Sequence, residues 1–177
     1  MDVGAGDGGY ALYRARTEPK TFAIAIDASP DALASGAWRA KRARLQNAVF
    51  LVEGVERLPR ELARLADEVT VHFPWGSLLR GLVDGSASVI GPIAGLMKAG
   101  AELRVLMSAV DRDGVGELSP ALAISRRQAY AEHGLCLIEA EWASSAVVAE
   151  SRSAWAKRLA VGRARQAVIA RYRRDAT

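Results

Sequence analysis

Apolar runs of strand length recur along the chain at 21–27, 48–53, 68–73, 102–109 and 135–142. Helix-length amphipathic stretches lie between them at 29–45, 57–66, 86–98 and 119–133. Strands alternating with amphipathic helices predict an α/β fold, a mostly parallel sheet with helices on both faces. Ser29, Pro30 and Asp31 read as a helix start with proline in the first turn, and residues 164–172 predict a last strand that closes the sheet. Nothing repeats and no low-complexity linker divides the 177 residues. Half of them are apolar, enough for one sizeable core and so for one domain spanning 1–177.

Ahead of the first apolar run stands Asp2-Val-Gly-Ala-Gly-Asp-Gly-Gly, and that run, Phe22-Ala-Ile-Ala-Ile, ends on Asp27. Glycines let backbone approach a ligand, and an acid after the next strand can hold two ribose hydroxyls. The pair is the mark of an adenosine-containing cofactor on an α/β sheet. Gly4, Gly6 and Gly9 also fit the dinucleotide spacing G-x-G-x-x-G, so NAD and S-adenosylmethionine both remain open at this point. Such a turn ordinarily follows a buried strand of about five residues, yet only Met1, Asp2 and Val3 precede it. The first strand is therefore expected to be a truncated stub, or the natural start to lie upstream.

The net charge of +4 is unevenly spread. Residues 1–151 hold 16 Lys/Arg against 19 Asp/Glu, whereas 152–177 hold 8 against 1. A second basic cluster comprises Arg39, Lys41, Arg42 and Arg44. Two such patches on a cofactor-binding chain point to a phosphate backbone, whose condensed counterions are released on binding. The longest uncharged stretch, 85–97, is 13 residues, too short to span a bilayer, so a soluble, cytoplasmic protein is expected. One cysteine, Cys136, excludes an internal disulfide, and with His72 and His133 it forms no metal-ligand spacing. Its apolar neighbours predict a buried, inert strand thiol.

Two further segments carry chemistry. Phe73-Pro-Trp-Gly-Ser-Leu-Leu-Arg-Gly follows a strand-like run, and loops beyond the carboxyl ends of strands line the ligand crevice. Phe73, Pro74 and Trp75 should therefore face the cofactor. In Ser153-Ala-Trp-Ala-Lys-Arg-Leu-Ala-Val-Gly-Arg-Ala-Arg, Trp155 sits among cations, where base stacking beside phosphate contacts would explain a large aromatic.

With the glycine turn, these two segments resemble the aminoglycoside-resistance 16S rRNA (adenine(1408)-N(1))-methyltransferase family, in order and over essentially the whole chain. The resemblance implies a Rossmann-like class I methyltransferase fold, S-adenosylmethionine as cofactor and the 30S subunit as substrate. It implies that Asp2, Gly4, Gly6 and Asp7 lie at the methionine end of the cofactor, that Asp27 takes the ribose hydroxyls, and that Glu56 and Ser77 stand near the adenine ring and the site. It places Trp75 and Trp155 on either side of the flipped target adenine, beside Phe73 and Pro74. The RNA backbone would fall to Lys157, Arg158, Arg163 and Arg165, with Arg39, Lys41, Arg42 and Arg44 matching a basic linker by charge. A monomer is the easier fit to so large a particle. A methyltransferase acting on another RNA or a small molecule, an oxidoreductase suggested by the glycines alone, and a catalytically silent ribosome-binding protein are the alternatives.

Methyl transfer to adenine N1 needs no general base, because the ring nitrogen has a free lone pair at neutral pH. Enzymes that methylate exocyclic amines tend to place Asp or Asn before the proline. Phe73 stands there instead, in keeping with a ring-nitrogen target.

Overall fold

The computed structural model describes residues 1–158, 161–162 and 165–176. Seven strands, β1 (Asp2–Val3), β2 (Ala23–Asp27), β3 (Ala48–Val52), β4 (Ala66–His72), β5 (Met97–Met107), β6 (Leu135–Trp142) and β7 (Val168–Arg174), form one sheet in the order β3-β2-β1-β4-β5-β7-β6. Pairs from β3 across to β5 are parallel, and β7 runs antiparallel to both β5 and β6. This is the mostly parallel, helix-covered sheet of a class I methyltransferase.

Alternation along β2 sorts the chain into layers. Ala23 and Ala25 face Ala11 and Ala15 of α1 (Gly9–Thr17) and Leu33 of α2 (Pro30–Arg42), where small side chains let helix and strand approach closely. Ile24 and Ile26 point the other way, into the main core with Leu79 and Leu82 of α3 (Gly76–Asp84) and Ile90 and Ile93 of α4 (Ala87–Leu96). Val69, Val71, Leu103 and Val105 have no exposed surface, as central parallel strands covered on both faces should. A third cluster joins Phe73 and Leu106 to Val148, Ala156 and Ile169, seating the segment between β6 and β7 on the sheet.

β1 is the expected stub of two residues, held by pairing of Asp2 with Ala25 and with Thr70. Other expectations shift. Residues 57–66 form two short 3-10 turns, Val55–Arg57 and Arg60–Leu62, because Pro59 drives Leu58 into extended backbone. The stretch 119–133 breaks at Arg126 into α5 (Pro120–Ser125) and α6 (Arg127–Ala131), with the Arg126 guanidinium donating to the Val83 carbonyl at 3.1 Å. The last strand begins at Val168, not 164. Helices α1, α3, α7 (Ser145–Glu150) and α8 (Ala154–Arg158) lie outside the expected spans. Cys136 is not buried but exposed on the edge strand β6. Its thiol donates to Asp175 Oδ1 at 3.0 Å, and that hydrogen bond to a carboxylate raises its pKa. No helix among the described residues is long and apolar enough to cross a membrane.

Candidate active site

The glycine turn leaves β1 with Gly4, Gly6 and Gly8 in the left-handed region (φ 68°, 56° and 67°), open to glycine at no steric cost. A Cβ on Gly4 would stand 2.7 Å from the Leu78 side chain, and one on Gly8 would stand 2.5 Å from the ring of Phe50. Asp27 braces the turn: its Oδ2 accepts from the Gly6 amide at 2.7 Å and its Oδ1 from the Ser29 amide at 2.9 Å. Each carboxylate oxygen keeps a second lone pair for an outside hydroxyl.

Asp7 is turned to the protein. It accepts from Arg39, whose Nη2 donates to both Asp7 Oδ2 and the Asp7 carbonyl at 2.8 Å, and from the Gly9 amide at 3.2 Å. Arg39, 36% exposed, is thus engaged from α2 with the glycine turn. Lys41, Arg42 and Arg44 stay exposed, with Arg42 lying 5.2 Å from the ring centre of Trp38, itself 58% exposed.

Two clefts meet at Gly4 and Trp75. One, of about 270 Å³, is lined by Asp2, Gly6, His72, Phe73, Trp155 and Arg158 among others. The other, of about 180 Å³, is lined by Asp27, Glu53, Glu56, Pro74, Ser77 and Leu78 among others. Together they run along the carboxyl ends of β1, β2 and β4, the place where open α/β sheets bind ligands. The residues expected at the methionine end line the first cleft, and those expected at the ribose and adenine line the second. Left-handed glycines, open space at Gly6 where any side chain would intrude, and acids on both sides suit a cofactor that carries a cationic methionine tail and a ribose. A larger cavity of about 480 Å³ lies at the opposite ends of β2 and β4, beside the stub of β1, walled by Phe22, Ile24 and Leu65. It shares Asp2 and Tyr10 with the first cleft but is lined by neither tryptophan and by none of the turn glycines.

The tryptophans converge on the first cleft from separate elements. Trp75 caps α3 and is 68% exposed. Phe73, two residues before it, is 2% exposed and adopts φ 52°, a conformation that costs a bulky residue of order 1–3 kcal/mol. Phe73 lines the cleft with little open surface. Its amide donates to the Leu106 carbonyl at 2.7 Å and its ring stacks on Trp155, centroids 6.1 Å apart and planes at 26°. Trp155 stands on α8, whose start is capped by Ser153 Oγ accepting from the Ala156 amide. Lys157 and Arg165 are exposed, Arg158 lines the cleft, and Arg163 lies outside the described residues.

Four residues at the site escaped the sequence reading. Arg152 lines the first cleft and holds its guanidinium 4.4 Å from the ring centre of Tyr13, tying the β6–β7 segment to α1. Asp2, beneath the turn, contacts Thr70 and approaches His72, against which Tyr10 packs edge-on at 4.5 Å. Burial pushes Asp2 up to about 7, against the opposing Thr70 hydrogen bond. Burial, then Arg104 and Arg14, pushes His72 down to about 3. The imidazole is therefore neutral, and its 3.8 Å approach to Asp2 is no ion pair. Tyr10, next to the turn, His72, directly before Phe73, and Arg152, next to the Trp155 segment, carried a positional signal, and Thr70 carried none. Among the described residues no cluster of His, Cys, Asp or Glu could hold a metal.

Fold and site together define the class: a Rossmann-like class I methyltransferase whose cofactor is S-adenosylmethionine. The family model described as NpmA, 16S rRNA (adenine(1408)-N(1))-methyltransferase, matches residues 1–174, and the chain belongs to that family. It is 28% identical over 179 residues to an Escherichia coli enzyme of that description, covering 93% of this chain and 82% of the relative. A tryptophan mutant of the enzyme from Catenulisporales acidiphilia, solved with cosubstrate SAM, superposes with a TM-score of 0.85 at 26% identity, over 98% of this chain and 84% of that one. An aminoglycoside resistance methyltransferase, NpmB1, is 33% identical with a TM-score of 0.75, over 98% and 85%.

Proposed function

We propose that this chain transfers a methyl group from S-adenosylmethionine to N1 of a decoding-site adenine in 16S rRNA, within the 30S subunit, and so confers aminoglycoside resistance. The observation that carries this is the convergence of Trp75 and Trp155, from α3 and α8, on the cleft that also meets the glycine turn. When bound, the cofactor supplies an electrophilic methyl on a sulfonium. Asp2, Gly4 and Gly6 hold its methionine end, Asp27 its ribose, Glu56 and Ser77 the adenine side, and Asp7 supports the turn through Arg39.

The rest of the task is positioning. N1 is paired or stacked within RNA, so the base must be swung out to be reached. Two indoles would hold it between them at roughly 1 to 3 kcal/mol per stacked face, and they favour the positive charge the methylated ring acquires. No side chain acts as base. Phe73 places an apolar ring where an amine acceptor would otherwise stand, and Pro74 fixes the turn that presents Trp75. Lys41, Arg42 and Arg44, together with Lys157, Arg158, Arg163 and Arg165, grip the phosphate backbone. The chain works as one domain, a monomer in the cytoplasm without a metal.

Primer extension on ribosomes from expressing cells tests this. A stop next to the modified adenine, together with raised aminoglycoside tolerance, is the expected result. No stop and unchanged sensitivity, from protein that binds S-adenosylmethionine, would overturn it.

A further inference from the structure

Beneath the glycine turn lies a polar pair that methyl transfer itself does not use. Asp2 and His72 end up side by side because β1 pairs with β4 at Asp2 and Thr70, two residues before His72. Both side chains are more than nine-tenths buried, at 5% and 8% exposure. His72 Nδ1 has no hydrogen-bond partner among the described residues and stands 3.8 Å from Asp2 Oδ1. That oxygen already accepts from Thr70 Oγ1 at 2.8 Å. A buried polar atom left unmatched costs about 1–3 kcal/mol, so an imidazole is a poor choice for this spot unless the contact serves something. Both residues also line the first cleft.

We propose that His72 is the positioning residue for Asp2: its Nδ1–H donates to Asp2 Oδ1 and holds the carboxylate, in its charged form, against the cationic methionine end of S-adenosylmethionine. The inference rests on the cofactor orientation given under Proposed function. Closing the gap by roughly 1 Å gives a hydrogen bond of ordinary length.

The surroundings favour a neutral donor over a second charge. Arg104 of β5 and Arg14 of α1 face His72 and oppose its protonation, and the Tyr10 ring packs edge-on against it. Asp2 faces Thr70 and Glu68 of β4, Asp27 at the end of β2, and the amino group of Met1. Arg14 and Arg104 are themselves engaged, with Glu68 at 2.6 Å and with Glu150 at 3.9 Å. A carboxyl held near 7 by burial loses its proton when a cation arrives. Cofactor binding should therefore release a proton below that pH, and the imidazole is placed to stabilise the anion that results.

Calorimetry of S-adenosylmethionine binding to the full chain between pH 5.5 and 8.5 tests the pair. In the natural protein the affinity should rise about tenfold per pH unit below 7 and then level off. His72→Phe, which keeps a ring and removes the donor, should weaken binding about tenfold and move the levelling point up by about one unit. His72→Asn, which can present an amide where Nδ1 stood, should stay within about threefold. In an Asp2→Asn background the profile should be flat and His72→Phe should add nothing. Equal losses in the Phe and Asn variants, or additivity with Asp2→Asn, would overturn the proposal. Nitrogen-15 NMR of the natural protein needs no variant to fold: a protonated Nδ1 that shifts downfield on cofactor addition is expected, and a protonated Nε2 refutes it. A His72→Phe profile identical to that of the natural protein, in protein that binds the cofactor, refutes the His72 role alone. No binding at any pH refutes the cofactor orientation as well.

Discussion

Replacing Trp155 with alanine removes one proposed face of the adenine sandwich and leaves the cleft expected to hold the ribose and adenine intact. Trp155 lines the first cleft with the glycine turn but not the second, which Asp27, Glu56 and Ser77 wall. Loss of one stacking face is worth about 1–3 kcal/mol, which converts to a roughly 5- to 150-fold fall in kcat/KM. The indole's contact with Phe73 adds about 0.5–1.5 kcal/mol to folding, so a modest drop in melting temperature should accompany the change. Methylation of purified 30S particles under single-turnover conditions reads the first effect, and calorimetry with S-adenosylmethionine reads the cofactor. Trp155→Phe should recover most of the rate, since a ring still rests on Phe73. If Trp155→Ala keeps full activity, or loses cofactor affinity in proportion to rate, the stacking role is wrong.

Arg39→Ala should lower cofactor affinity severalfold while 30S binding is unchanged, whereas Lys41→Ala and Arg42→Ala should weaken 30S binding and flatten its salt dependence; filter binding across salt concentrations separates the two. Gly36→Ala puts a Cβ 2.4 Å from the Asp7 carbonyl, so the turn must shift, and cofactor binding should fall at least tenfold with the far-ultraviolet spectrum retained. Stability against pH offers a further check. Asp2, raised to about 7, costs stability as pH rises from about 4 to 7, because the unfolded chain gives up that proton first. His72, lowered to about 3, costs stability as pH falls from 6.5 to 3, because the unfolded chain takes up the proton first. The two oppose each other over the shared window. Asp2→Asn should accordingly leave a protein whose melting temperature climbs with pH from about 4 to 6.5, and an unchanged, level profile would contradict both shifts.

Much of this was legible from residue order alone. Strands β2, β3, β4 and β6 fall within about two residues of the apolar runs, because each carries closely spaced β-forming apolar residues bounded by polar breaks. The glycine turn was legible because glycine adopts left-handed backbone without steric cost, and three of five consecutive positions here need it. Elements that depend on their neighbours were harder to see. Among the described residues α8 is short, and Ala156 packs it into one cluster with Phe73 and Ile169. The span 57–66 has helical composition, yet Pro59 near its start holds Leu58 extended and only the short turn Arg60–Leu62 follows. Cys136 has apolar neighbours on either side, but β6 lies at the sheet edge, and strand order is a long-range outcome that local pattern does not encode.

Residue order by itself determined the α/β class, the glycine turn with Asp27, and the segments bearing Trp75 and Trp155, since these are matters of periodicity and of side chains suited to one chemistry. Tertiary structure alone decided which side chains meet. It brought tryptophans 80 positions apart in number to one cleft, turned Arg39 from the solvent to Asp7, put Phe73 under Trp155, and set His72 beside Asp2 in the interior. The physical reason is that charge state and stacking depend on burial and on distances fixed by strand register, and these arise only once the sheet has closed around them.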